Sequence, residues 1–173
     1  MARWVALLRG INVGGANALP MADLRGMATG LGWDNPRTYV ASGNMIFEAE
    51  GGDPELTAHL TTALAARGLN VPVLILSQAD LRAAYAACPY APEDPRCVHA
   101  IFALTPFNID RDRLAALLGD DEGFVVNGHV AYLHTPRGFS KSKLAEKLDR
   151  VLGTKTTARN LRSLTKLVQM LDG

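Results

Sequence analysis

The chain has little cysteine, few aromatic residues and no long apolar segment, and each shortage excludes a class of protein. Cys88 and Cys97 are the only cysteines among 173 residues, too few for a disulfide framework. We therefore expect reduced thiols and a cytoplasmic protein. No apolar run approaches the roughly 18 residues of a membrane-spanning helix, so we expect no membrane partner. Aromatic residues make up 6% of the chain, and the predicted third strand lacks the paired aromatics of an RNA-recognition sheet.

The common catalytic and cofactor-binding patterns are missing as well. The four histidines and two cysteines show no spacing typical of a zinc site. We therefore predict no metal and no cofactor. The chain contains neither the G-x-S-x-G of a serine nucleophile nor either glycine fingerprint of nucleotide-binding proteins. The sequence thus assigns no catalytic residue and leaves open whether the protein is an enzyme.

Positive charge is concentrated towards the C-terminus. Residues 137–166 carry nine of the 18 Lys and Arg residues and only two acids, although the formal net charge of the chain is +1. Such asymmetry is typical of a surface that attracts phosphate, nucleotides or nucleic acid. It indicates a class of ligand but no reaction.

The first 76 residues predict the element order β-α-β-β-α-β. Helices are predicted at 20–31 and 53–67, each followed by a glycine that stops it. Short apolar or β-branched segments predict strands at 4–8, 37–41, 45–49 and 71–76. This order is the ferredoxin-like split βαβ arrangement, in which the third strand lies between the first two. Because the first and fourth strands are apolar at nearly every residue, we expect both faces of the sheet to be covered.

The second half predicts a related order, β-α-β-β-α, followed by an extra C-terminal helix. After a helix at 77–87 and a proline-rich linker, the predicted elements are a strand at 98–104, a helix at 110–118, a hairpin at 123–133 with an Asn127-Gly128 turn, and basic helices at 142–152 and 158–171. The predicted fold is therefore α+β with two subdomains. Residues 1–78 form the ferredoxin-like subdomain, and residues 79–173 form the subdomain that carries the basic helices.

Two glycine-containing loops are expected to meet at one edge of the first sheet. Segment 9–17 is long for a strand-to-helix connection, and Ser42-Gly43-Asn44 is the predicted turn between strands two and three. Right-handed crossover places both loops at the same edge. Backbone N–H groups of glycine next to a helix start can approach an anion closely. A need for particular backbone angles explains the same residues without any ligand.

A third polar group comes from segments 139–143 and 154–160, which precede or open the predicted basic helices. Lys141, Thr157 and Arg159 would place cations and a hydroxyl where free N–H groups of a helix start already favour an anion. The charged ridge of Lys143, Lys147 and Arg150 is typical of a solvated helix face, or of a surface that follows a nucleic-acid backbone.

Three of these segments resemble motifs of the bacterial family called domain of unknown function 1697. They are LLRGINVGG at 7–15, TYVASGN at 38–44 and TARN at 157–160. Leu161 departs from the last motif, where an aromatic residue is expected. The resemblance implies a two-subdomain α+β fold and no particular activity. It also implies that eight polar residues occur together: Arg9, Asn12, Asn17, Ser42, Asn44, Thr157, Arg159 and Asn160.

We therefore hypothesise that a polar cleft between the subdomains binds a phosphorylated small molecule or a nucleotide. The alternative is a nucleic-acid-binding protein whose basic C-terminal helices follow an RNA or DNA backbone. A scaffold without a ligand is the third interpretation, and the sequence indicates no oligomeric state. The candidate ligand-binding residues are Arg9, Asn12, Gly14, Gly15, Asn17, Ser42, Asn44, Lys141, Thr157, Arg159 and Asn160.

Overall fold

The computed structural model describes all 173 residues. The chain contains eight strands and seven α-helices. The strands are β1 (Ala2–Leu8), β2 (Asp34–Tyr39), β3 (Asn44–Ala49), β4 (Val73–Ser77), β5 (Val98–Ala103), β6 (Gly123–Asn127), β7 (Val130–His134) and β8 (Thr156–Asn160). The helices are α1 (Met21–Gly30), α2 (Asp53–Ala66), α3 (Gln78–Ala86), α4 (Arg111–Leu117), α5 (Lys143–Glu146), α6 (Leu148–Leu152) and α7 (Leu161–Asp172). None of the helices has both the length and the hydropathy that a transmembrane segment requires.

The chain forms two compact units. The first unit comprises Met1–Ala83 together with Lys166–Gly173, and the second unit comprises Ala84–Thr165. This division differs from the expected 1–78 and 79–173 mainly because the last eight residues fall in the first unit. Two arginines of the first sheet hold that segment, since Arg3 donates to the Leu171 carbonyl and Arg37 to the Met170 carbonyl. These carbonyl groups lie in the last turn of α7, where they have no partner within the helix.

The first unit contains a four-stranded antiparallel sheet in the order β2-β3-β1-β4. β3 lies between β1 and β2, and β4 pairs with the other side of β1. This is the predicted ferredoxin-like order, so the fold class is confirmed for this unit. Helices α1 and α2 pack on one face of the sheet through Leu24, Leu56 and Leu60.

β1 is buried on both of its faces, as its continuous apolar sequence predicts. Ala6 and Leu8 belong to the core beneath α1 and α2, and Val5 and Leu7, which point to the opposite face, are also 0% exposed. Arg3 lies on this second face by the same alternation and holds the last turn of α7. Burying a Val or Leu side chain contributes about 1.5–3 kcal/mol, so the two-sided burial of β1 is a major source of stability.

The second unit repeats the same architecture. Its sheet has the order β6-β7-β5-β8, again antiparallel throughout, so its element order is β-α-β-β-α-β. Helices α4, α5 and α6 pack on one face of this sheet around Ile101, Leu133 and Leu144. The protein is therefore α+β with two ferredoxin-like units.

The last strand corrects the predicted order of the second half. A helix was expected to begin at Ala158, and this prediction is wrong because Thr156–Asn160 pair with β5 and α7 begins only at Leu161. Adjacent threonines favour a strand. The Asp149 carboxylate also accepts hydrogen bonds from the Thr156 N–H at 3.1 Å and the Thr156 hydroxyl at 2.7 Å, which secure the start of β8.

Two further predictions differ from the structure in detail. The helix expected at 142–152 is interrupted at Lys147, whose φ of −124° and ψ of 24° separate α5 from α6. The β6–β7 hairpin turns at Gly128-His129 instead of Asn127-Gly128, because Asn127 pairs with Val130. Gly128 has a φ of 62° and His129 has no positive φ. This is the pattern of a type II′ turn, in which glycine takes the first central position.

Candidate functional site

The predicted ligand-binding residues are distributed over both units. Arg9, Asn12, Gly14, Gly15, Asn17, Ser42 and Asn44 belong to the first unit, and Lys141, Thr157, Arg159 and Asn160 belong to the second. That all of them share one site stays a prediction.

The loop after β1 folds into a small hairpin of its own. Val13 and Ala16 form a β-bridge, and the Ala16 N–H donates to the Val13 carbonyl at 2.9 Å. Gly14 and Gly15 lie between them with φ values of 58° and 79°. A type I′ turn requires positive φ at both central positions, which favours the Gly-Gly pair. The backbone therefore accounts for both glycines without an anion.

The side chain of Asn12 ties this loop to the turn between β2 and β3. Its Nδ2 donates to the carbonyl groups of Leu19 and Ala41, each at 2.8 Å, and its Oδ1 accepts from the Leu19 N–H at 2.7 Å. Both donors of the amide are thus bonded to the protein backbone. The two loops meet at one edge of the first sheet, as the right-handed crossover predicts.

The side-chain amides of Asn17 and Asn44 also donate hydrogen bonds to backbone carbonyl groups. Asn17 Nδ2 donates to the Gly10 carbonyl at 3.1 Å, and the fully buried Asn44 donates to the Tyr39 carbonyl and to the Ser42 hydroxyl, each at 3.0 Å. The turn around Gly43 also leaves no room for another residue. Gly43 has a φ of 95°, and a Cβ there would lie 2.8 Å from the Leu8 Cβ. Asn12, Asn17, Gly43 and Asn44 therefore build the loop edge of the first unit.

Arg159 is a buried cation within β8. Arg159 is only 8% exposed. Its Nη1 donates to the Thr157 hydroxyl and to the Ala158 carbonyl, each at 2.8 Å. Burial lowers the pKa of Arg159 to about 10, so the guanidinium remains protonated at neutral pH. The expectation that Thr157 and Arg159 stand at a helix start is wrong, because both lie in a strand. Asn160 does cap α7, since its Oδ1 accepts from the Ser163 N–H at 2.8 Å.

A pocket of about 290 Å³ opens in the second unit between the end of α4 and the segment that leads into α5. We call it the Lys141 pocket. Its charged lining consists of three acids and three cations: Asp120, Asp121, Glu122, Arg137, Lys141 and Lys143. Among the candidate ligand-binding residues, Lys141 is the one that lines it. The sequence had placed Lys143 on a helical ridge.

The charges of this pocket are only partly paired. Asp121 Oδ2 lies 3.1 Å from Arg137 Nε, and Glu122 Oε1 accepts from the Gly119 N–H at 2.8 Å. Lys141, Lys143 and Asp120 form no salt bridge within 4.0 Å. All three are exposed residues of the lining. Two ammonium groups and one carboxylate of the lining are therefore without an ion-pair partner.

His99 is a partly buried residue that the sequence had considered only as a metal ligand. It lies in β5 with its ring stacked on Phe139, the ring centroids 3.9 Å apart. Its Nδ1 is buried and has no hydrogen-bond partner. Burial lowers the pKa of His99 from 6.5 to about 4, so the ring is neutral at pH 7. No sequence signal marks this histidine, because its burial depends on the packing of Phe139.

Replacing Asn12 tests whether this residue stabilises the fold or serves only to bind a ligand. We expect Asn12→Ala to lower the free energy of unfolding by about 2–3 kcal/mol, because three hydrogen bonds of roughly 0.5–1.5 kcal/mol each are lost. Asn17→Ala, which removes one bond, should cost about 1 kcal/mol. Urea denaturation of the ligand-free protein measures both. Wild-type stability in Asn12→Ala would contradict the structural role.

Acid should destabilise the protein through His99. The unfolded state binds this proton at a pKa near 6.5 and the folded state only near 4. The contribution of neutral His99 to the free energy of unfolding is therefore fully present above pH 6.5. It is lost as the pH falls from 6.5 to 4, by up to about 3 kcal/mol. Urea denaturation of wild type and His99→Gln across this range should show a smaller loss in the variant. The exposed His129→Gln serves as the control, and identical profiles for wild type and His99→Gln would rule out the effect.

Comparison with known proteins agrees with this fold and names no activity. The structure of the conserved bacterial protein SP0830 from Streptococcus pneumoniae is similar at a TM-score of 0.77 and 28% sequence identity, over 100% of this chain and 99% of that chain. No curated protein matches. A family model described as "Protein of unknown function (DUF1697)" matches residues 1–132, which include two of the three motifs and end before TARN at 157–160. The chain therefore belongs to the DUF1697 family.

Proposed function

We propose that the protein binds a phosphorylated small molecule in the Lys141 pocket. The observation that carries this proposal is the presence of Lys141 and Lys143 in one concave site without an acidic partner. A phosphate group can accept charge-assisted hydrogen bonds from both ammonium groups at once. Both lysines line the same pocket, so one ligand can contact the two ammonium groups together.

The expected affinity is modest. Lys141 and Lys143 are exposed, and an exposed ion pair contributes about 0.2–1 kcal/mol. Two such contacts, with hydrogen bonds from the rest of the pocket, support a dissociation constant near a millimolar, which corresponds to about −4 kcal/mol. This range suits a small metabolite present at a high concentration.

The basic ridge of α5 and α6 supports a second candidate, binding along a nucleic-acid backbone. Lys143, Lys147 and Arg150 are exposed and form no salt bridge. The interruption at Lys147 separates these cations onto two short helices, so they do not form one continuous stripe. Binding of this kind would weaken steeply with salt, by a log–log slope of about −0.9 for each phosphate neutralised on a duplex.

Two double variants separate the candidates. In titration calorimetry with glucose 6-phosphate, Lys141→Ala/Lys143→Ala should weaken binding by about tenfold, because two exposed contacts are removed. Lys147→Ala/Arg150→Ala, which removes equal charge outside the pocket, should leave this affinity within about twofold. If wild-type protein binds no phosphorylated sugar, or if both variants lose equally, the pocket proposal is wrong. Salt-sensitive binding of a short duplex that both variants weaken would favour the nucleic-acid function instead, because Lys143 belongs to the ridge as well as to the pocket.

A further inference from the structure

We infer that the ligand of the Lys141 pocket is a phosphate monoester that also carries an ammonium group. This inference rests on the proposed function and concerns the second end of the same ligand. The pocket contains Asp120 as well as the two lysines, and none of the three has a partner of opposite charge within 4.0 Å. A ligand with a negative end and a positive end would match all three groups.

The other two acids of the pocket cannot take this role as readily. The Asp121 carboxylate lies 3.1 Å from Arg137 Nε, so the two charges already compensate each other. Glu122 accepts a hydrogen bond from the Gly119 N–H at 2.8 Å, which orients its carboxylate towards the loop backbone. Asp120 is thus the carboxylate left to meet a cationic group of the ligand.

The charge balance of the lining disfavours strongly anionic ligands. Three acids and three cations give the pocket no formal net charge. A polyphosphate or a nucleic-acid strand would bring additional negative charge close to the carboxylates, and such like-charge contacts oppose binding. A phosphate monoester with an ammonium group carries at most one net negative charge.

The volume of the pocket points to a small ligand. A volume of about 290 Å³ lies at the lower end of ligand pockets in general. A phosphorylated monosaccharide is of this size, whereas a dinucleotide is far larger. An amino sugar phosphate therefore combines the size and both charges that the pocket requires.

A matched pair of ligands tests the ammonium group alone. At pH 6.5, glucosamine 6-phosphate carries an ammonium group at the carbon where glucose 6-phosphate carries a hydroxyl group. The two compounds are otherwise identical. Calorimetry at low salt should show that the amino sugar phosphate binds wild-type protein about fivefold more tightly, the effect of one exposed ion pair. Asp120→Asn should abolish this preference and leave the affinity for glucose 6-phosphate unchanged. Asp112→Asn, which removes an exposed acid of α4 outside the pocket, should retain the preference.

The outcomes distinguish this inference from the proposed function. Equal affinity of wild type for the two sugar phosphates, or a preference that persists in Asp120→Asn, overturns the ammonium inference while phosphate binding stands. Failure of both sugar phosphates to bind overturns both proposals. Binding of glucosamine as tightly as of its 6-phosphate also overturns both, because the phosphate would then contribute nothing.

Discussion

The hydrogen bonds of the Asn12 side chain are the constraint on which the loop edge of the first unit depends. The loop between β1 and α1 lies outside the sheet, so its backbone groups need partners that no neighbouring strand supplies. Asn12 bonds both the N–H and the carbonyl of Leu19 and also reaches the Ala41 carbonyl. Leu19 is thereby fixed just before α1 with its side chain fully buried. One amide group thus joins the entry of a helix to the turn of a neighbouring hairpin.

This role changes the interpretation of the family motifs. Asparagines and glycines in exposed loops resemble a ligand site in sequence, because both residue types also serve anion binding. In the structure, Asn12, Asn17 and Asn44 direct their amides to backbone carbonyls, and Gly14, Gly15 and Gly43 adopt positive φ. A family can share such residues because the fold requires them. In the second unit, by contrast, Lys141 and Lys143 form no ion pair.

The concentrated positive charge is divided among different environments by the fold. Arg159 is buried in a strand, Arg137 pairs with Asp121, and Lys141 and Lys143 line a pocket. Charge counted along the sequence therefore overstates any single basic surface. Lys147 and Arg150 belong to the solvated ridge, where their contribution depends on salt. The acids of the pocket belong to a segment about twenty residues before its lysines. Counting charge along the chain therefore does not reveal that these acids and lysines lie in one pocket.

Most of the first unit could be predicted from sequence, because β1, β3 and β4 are short apolar segments and a glycine follows closely after α1 and after α2. β2 is polar, and it begins at Asp34 instead of the predicted residue 37. β8 could not be predicted, because Arg159 and Asn160 give this strand a polar sequence. The helical spacing of apolar residues in α7 also continues into the β8 segment, which favours a helix there. Its pairing with β5 joins residues more than fifty positions apart, which local patterns do not encode. The convergence of the two loops followed from the handedness of the crossover. Whether each asparagine faces backbone or solvent depends on side-chain geometry, which the sequence does not specify.

Amide hydrogen exchange in the ligand-free protein tests the central claim most directly. The Leu19 N–H is bonded to Asn12 Oδ1, whereas the exposed Gly14 N–H belongs to the tip of the same loop. The account predicts that Leu19 exchanges at least about tenfold more slowly than Gly14 after correction for intrinsic rates, as one hydrogen bond of roughly 1.4 kcal/mol implies. Equal corrected rates for the two amides would contradict it.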